Sequence, residues 1–149
     1  MSILFLRNND YYQANINPKI LRMKTILVDA LDTFVIEGEW INQELYTLLK
    51  TYPNPKVILT NANEEQMVQF GIVNMPYPVF TLSHNPDKPN PVYFETFFKE
   101  NNLSANEVVY FEHNSDACES AESLWITTHF YDMDKRDLDA LKEFLDNNL

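Results

Sequence analysis

The sequence predicts an α/β fold, a three-layer α/β/α sandwich with a parallel sheet at its centre. Two observations lead there. Short apolar runs at 25–28, 56–60, 79–82, 107–111 and 126–131 are too brief for helices and have no consistent polar side, so they read as buried strands. Stretches with helical spacing separate them, and strands alternating with helices build a parallel sheet covered on both faces. A third observation points to the site. The first run passes straight into Asp29, and a carboxylate at the C-terminal end of a central parallel strand lies where open α/β sheets bind ligands. On spacing alone, Asp29 is equally a turn or helix-cap residue after a strand.

Composition narrows the class. With 149 residues the chain is long enough for one domain with a real core and short for two. Apolar content is 45% and aromatic content 13%, which argues against disorder. The net charge of −11 repels phosphate backbones and anionic lipid, so no nucleic-acid and no membrane partner is expected. A phosphorylated substrate would then need local cations. Cys118 is the only cysteine, so no internal disulfide forms and a cytoplasmic location is expected. The sequence contains no recognisable signal peptide, long apolar run or internal repeat.

In chain order, residues 1–22 read as an N-terminal extension, with a short strand at 2–6 and a polar loop at 8–17. It is expected either to pair with a sheet edge or a second copy of the chain, giving a homodimer, or to form a partly ordered arm. The core domain is expected over 23–149. After the first strand, β-formers on either side of Gly38 suit a hairpin over 35–40. Ile41, Leu45, Leu48 and Leu49 have helical spacing, and Pro53 lies beyond the end of their helix. Asn63 followed by Gln66 reads as a capping box for a short helix ending near Gly71. Pro91, with Asn90 as cap, opens the next helix, because the missing proline N–H costs nothing in a first turn. Asp116 and Glu119 make a second capping box, for a helix over 116–124. Asp134 is expected to cap a final helix that carries Leu138, Leu141, Phe144 and Leu145 on one face.

Four stretches, in order, resemble the motifs of the haloacid dehalogenase (HAD) superfamily. Residues 25–35, TILVDALDTFV, resemble motif I: an apolar strand, Asp, any residue, Asp, any residue, Thr and an apolar residue. Asp29 matches the first aspartate and Thr33 the threonine, while Leu31 stands at the second aspartate and Asp32 at the usual glycine. A shift by one residue would bring Asp32 to the second aspartate, but it would put Ala30 in place of the nucleophile and Phe34 in place of the threonine. KVILT at 56–60 resembles motif II, with Thr60 as the phosphoryl-binding hydroxyl. Lys88-Pro89-Asn90-Pro91 resembles motif III, with Lys88 as its lysine. Residues 107–121 resemble motif IV, a strand that ends in metal-binding acids. Two alignments compete there, one on Glu112-His113-Asn114 and one on Glu112 and Asp116; Glu112 is acidic in both. Asp116 reads more simply as a cap, and His113 as a ligand, a proton carrier or a loop residue.

The resemblance covers residues 25–149 and implies a Rossmann-like HAD fold with sheet order 5-4-1-2-3, a hairpin flap after motif I, and no cap domain, since 34–55 and 61–87 are too short to hold one. It also implies glycine after the motif IV helix. Trp125 stands there, and a tryptophan in a left-handed C-cap costs on the order of 1 kcal/mol or more, so a different connection is expected. The implied chemistry is phosphohydrolysis of a small phosphorylated molecule or phosphoprotein, with Asp29 as nucleophile and Thr60 and Lys88 on the phosphoryl oxygens. Mg2+ would be held by the Asp29 carboxylate, the Leu31 backbone carbonyl and Glu112. Leu31 cannot protonate a leaving group, and losing a general acid costs roughly 10²–10⁴-fold. Three readings follow: a weak or unusual phosphohydrolase, a catalytically silent scaffold, and a C–halogen or C–P hydrolase.

Overall fold

The computed structural model describes residues 23–149. The readings made for the N-terminal extension lie outside them. The elements are β1 (Thr25–Asp29), β2 (Val35–Ile36), β3 (Trp40–Ile41), α1 (Gln43–Lys50), β4 (Lys56–Thr60), α2 (Glu64–Phe70), β5 (Val79–Thr81), α3 (Val92–Asn101), β6 (Val108–Glu112), α4 (Ser115–Ser123), β7 (Thr127–Phe130) and α5 (Leu138–Asn148), with a 3-10 turn at Ala105–Glu107. Five strands form one sheet in the order β5-β4-β1-β6-β7, every pairing parallel. Numbering only those five in chain order and reading from the β7 edge gives 5-4-1-2-3, the order implied by the resemblance.

Alternation along β1 divides the interior. Ile26 and Val28 point to one face, where they pack with Leu45 and Leu49 of α1, Met67 of α2, and Leu141 and Leu145 of α5. Leu27 points to the other, against Tyr93, Phe94 and Phe97 of α3 and Ala121 of α4. Neither layer of helices can bury its apolar stripe without the sheet, and the result is the expected three-layer sandwich. The hairpin is present too: β2 and β3 pair antiparallel around Gly38, whose φ of +78° suits a glycine turn.

Helix ends match the sequence in part. Asn63 and Gln66 form the expected capping box, and Gly71 closes α2 in the left-handed region at φ +76°. Pro91 is helical at φ −56°, and the Asn90 side chain accepts the Val92 N–H at 3.0 Å. Three expectations need correction. Asn114, not Asp116, caps α4, accepting the Ala117 N–H at 3.0 Å. β6 ends at Glu112, only His113 separates it from this cap, and the cap falls two residues earlier than expected. Asp137, not Asp134, caps α5. Asp132 takes the N–H groups of Asp134 and Lys135 into a turn of its own, which delays the helix. The connection after α4 does not differ. Trp125 adopts φ +65°, with Trp125 N–H bonded to Glu122 C=O and Ile126 N–H to Ala121 C=O, the paired bonds of a Schellman ending.

Candidate active site

The C-terminal ends of β1, β4 and β6 deliver the functional side chains. Asp29 closes β1, 2% exposed. The chain then doubles back on itself: Val35 N–H bonds to Ala30 C=O at 2.9 Å and Asp32 N–H to Val35 C=O at 2.8 Å. Asp32 makes that reversal at φ +64°, a conformation glycine enters most cheaply and aspartate tolerates. The reversal brings the Thr33 hydroxyl back to donate to Asp29 Oδ2 at 2.6 Å. Motif I is therefore a closed loop in which threonine orients aspartate.

Lys88 reaches the same carboxylate from the loop after β5. Asn61, at the end of β4, pins that loop: its side-chain oxygen accepts the Lys88 N–H at 2.8 Å and its backbone carbonyl the His84 N–H at 3.1 Å. The Lys88 ammonium then bridges Asp29 Oδ1 at 2.6 Å and Glu112 Oε2 at 2.8 Å, with all three residues buried. Glu112 is further held by the Tyr110 hydroxyl on Oε2 and the Asn114 N–H on Oε1 at 3.1 Å. His113 turns its Nδ1 onto Asp29 Oδ2 and lies 3.5 Å from Glu112 Oε1. Two buried carboxyl groups thus share the Lys88 ammonium and the half-buried His113 ring.

Charge states follow from that arrangement. Burial opposes ionisation of Asp29, but Lys88 and His113 outweigh it and hold the carboxyl below the usual range. Burial likewise opposes the Lys88 charge, and Asp29 with Glu112 overcomes it, so the ammonium is held above its ordinary range. Glu112 goes the other way: burial first and the Asp29 charge second raise it to about 7, against the pull of Lys88. The bond to Asp29 raises His113.

A cavity of about 190 Å³ opens over these groups. Asp29, Leu31, Thr60, Lys88 and Glu112 all line it, so the structure gathers every expected site residue in one place. The Thr60 Oγ1 accepts the Ala62 N–H at 3.1 Å. Asp116 is not among the lining residues and sits in the first turn of α4. Asp29, Glu112 and His113 each offer a ligand atom within 4.8 Å of the others, a donor set with enough oxygen to suit a divalent cation. Two residues here escaped the sequence reading: Asn61, visible only as an ordinary strand-end asparagine, and His84, which carried no motif at all.

Comparison of the sequence with models of protein families and with curated proteins gives no match. Comparison with solved structures does. A HAD family enzyme from Bacteroides thetaiotaomicron, an aspartate-to-alanine variant in complex with magnesium and inorganic phosphate, superposes with a TM-score of 0.57 at 12% identity, over 72% of this chain and 93% of its own. An uncharacterized protein from Corynebacterium glutamicum superposes with a TM-score of 0.55 at 13% identity, over 83% of this chain and 96% of its own. Sheet order, the closed motif I loop and these likenesses agree: the chain has the fold of the HAD superfamily.

Proposed function

We propose that the protein is a HAD-like phosphohydrolase that works through an aspartyl-phosphate on Asp29. The observation that carries this reading is the Lys88 ammonium bridging Asp29 and Glu112 at the ends of adjacent central strands, beneath a cavity that Thr60 also lines. Asp29 is held ionised, as a nucleophile must be. Thr33 fixes its orientation. Lys88 neutralises charge where phosphoryl oxygens would gather, and the Thr60 hydroxyl stands at the next strand end to donate to one of them. Mg2+, the ion named with the Bacteroides neighbour, would be held by Asp29, the Leu31 backbone carbonyl and Glu112, with His113 beside them; when bound it would supply charge neutralisation at the phosphoryl group.

The substrate would be a small phosphorylated molecule or a phosphoprotein. Between the motifs the described chain holds only a two-stranded hairpin, single helices and loops, which suits a capless, open site. A second reading, a silent scaffold, draws support from Leu31 and from the complete internal pairing of Asp29. Hydrolysis of p-nitrophenyl phosphate in Mg2+ separates the two. Turnover by the wild type that is lost in Asp29→Asn supports the enzyme. Equal, negligible turnover by both, with inorganic phosphate still bound, supports the scaffold.

A further inference from the structure

His84 sits on the loop between β5 and α3 and lines the same cavity as Asp29 and Leu31. Both of its ring nitrogens face oxygen acceptors. Nδ1 lies 2.8 Å from the Asp87 carboxylate, and Nε2 contacts the side-chain oxygen of Gln66. That oxygen cannot be exchanged for the amide nitrogen by turning the Gln66 side chain over. It already accepts the Asn63 N–H at 3.1 Å in the capping box of α2, and a backbone N–H can only donate. The Gln66 oxygen can only accept, so the Nε2 contact is made by an Nε2–H of His84.

Lys88 is bound to two carboxylates, and the His113 Nδ1 to Asp29. The Nε2–H of His84 is held only by a neutral amide, and the side chain is 42% exposed where it lines the cavity. We propose that His84 is the general acid and base of the phosphohydrolase reaction, doing the work that Leu31 cannot. The inference rests on the phosphohydrolase reading above. As an Asp29 oxygen forms its bond to phosphorus, the bond from phosphorus to the leaving oxygen breaks, and its electron pair stays on that oxygen. The oxygen takes the Nε2 proton from His84 and departs as an alcohol, leaving neutral imidazole. Water then attacks phosphorus, and the Asp29–phosphorus bond breaks with its electrons returning to the carboxylate. The imidazole takes the proton from water, which restores the imidazolium. Asp87 and Gln66 are positioning residues that fix the two ends of the ring.

The test compares wild type, His84→Asn and Asp29→Asn on p-nitrophenyl phosphate and on propyl phosphate in Mg2+. Asparagine suits the backbone at position 84, where φ is +66°. Circular dichroism and inorganic phosphate binding establish that each variant is folded with its site intact. An alkoxide needs a proton far more than a nitrophenolate does. His84→Asn should therefore lower kcat/KM, which reads the steps up to release of the alcohol, on propyl phosphate by about 10²-fold or more, and on p-nitrophenyl phosphate by less than about tenfold. An equal fall on both substrates, or no fall, while Asp29→Asn is inactive, overturns the role of His84 and leaves the phosphohydrolase reading standing. If the wild type turns over neither substrate, or Asp29→Asn matches it, the reading itself fails and this inference with it.

Discussion

Asp29 is legible from sequence because an apolar run ends on it, and Lys88 because prolines frame it. What the sequence does not disclose is the company Asp29 keeps. The His113 and Asn61 contacts depend on where distant loops land: the motif IV text left His113 open between ligand, proton carrier and loop residue, and nothing in its local text distinguishes Asn61 from a strand-end polar residue. The Thr33 bond is implicit in the motif spacing, and it can be tested. Thr33 is fully buried and its hydroxyl donates to a charged acceptor. Thr33→Val keeps the shape and removes the donor, so it should lower the unfolding free energy by about 1–3 kcal/mol, read from the urea midpoint. Glu112 makes a pH signature. Its folded value of about 7 lies above the ordinary 4.5, so its contribution to stability is fully present below about pH 4.5 and is lost as pH rises through about 7. Asp29, held low, has the opposite sign: its contribution is present above its ordinary value and lost as pH falls through the depressed one. Urea unfolding of wild type and Glu112→Gln from pH 4.5 to 7 should show the wild type losing ground to the variant, by on the order of 3 kcal/mol across the window. A wild type that gains ground instead would mean that Glu112 is ionised throughout.

Elements were read well where their ends carry a local chemical signal and poorly where two signals compete. Asn63, Gln66 and Gly71 bracket α2 without rivals. Before α4, Asn114 and Asp116 are both good caps, and Asn114 is the one that accepts the Ala117 N–H. Before α5, three aspartates compete, and the turn made by Asp132 settles which is used. Trp125 is the instructive failure. The helix ending needs a left-handed residue, and the bonds from Trp125 and Ile126 hold that geometry despite the side chain. Trp125 is 88% exposed, so little packing offsets the strain. Trp125→Gly should therefore stabilise the protein by roughly 0.5–1 kcal/mol, the relief of left-handed strain less the added freedom of the unfolded chain. Trp125→Ala, which keeps the strained Cβ, should not. Paired thermal melts check both, and an equal effect of the two substitutions would place the cost elsewhere.

At the scale of the molecule, the order of strands assembles the candidate site. With β1 between β4 and β6, the side chains at three strand ends meet in one cavity although they are far apart in sequence. That order is not written in any single segment. It followed from four motifs in sequence, and a sequence without them would have yielded only an α/β sandwich. Among the described residues no helix is long and apolar enough to cross a membrane. Against a net charge of −11, Lys88, His84 and His113 are gathered at this one cavity. The central claim is that Asp29 is the group that takes the phosphoryl. Incubation with an aryl phosphate and Mg2+, acid quenching, borohydride reduction and peptide mass spectrometry examine it directly. Reduction of a phosphoaspartate should mark the peptide containing Asp29 in the wild type and leave Asp29→Asn unmarked. A wild type that turns over substrate with Asp29 unmarked, or a mark on another carboxylate, would contradict it.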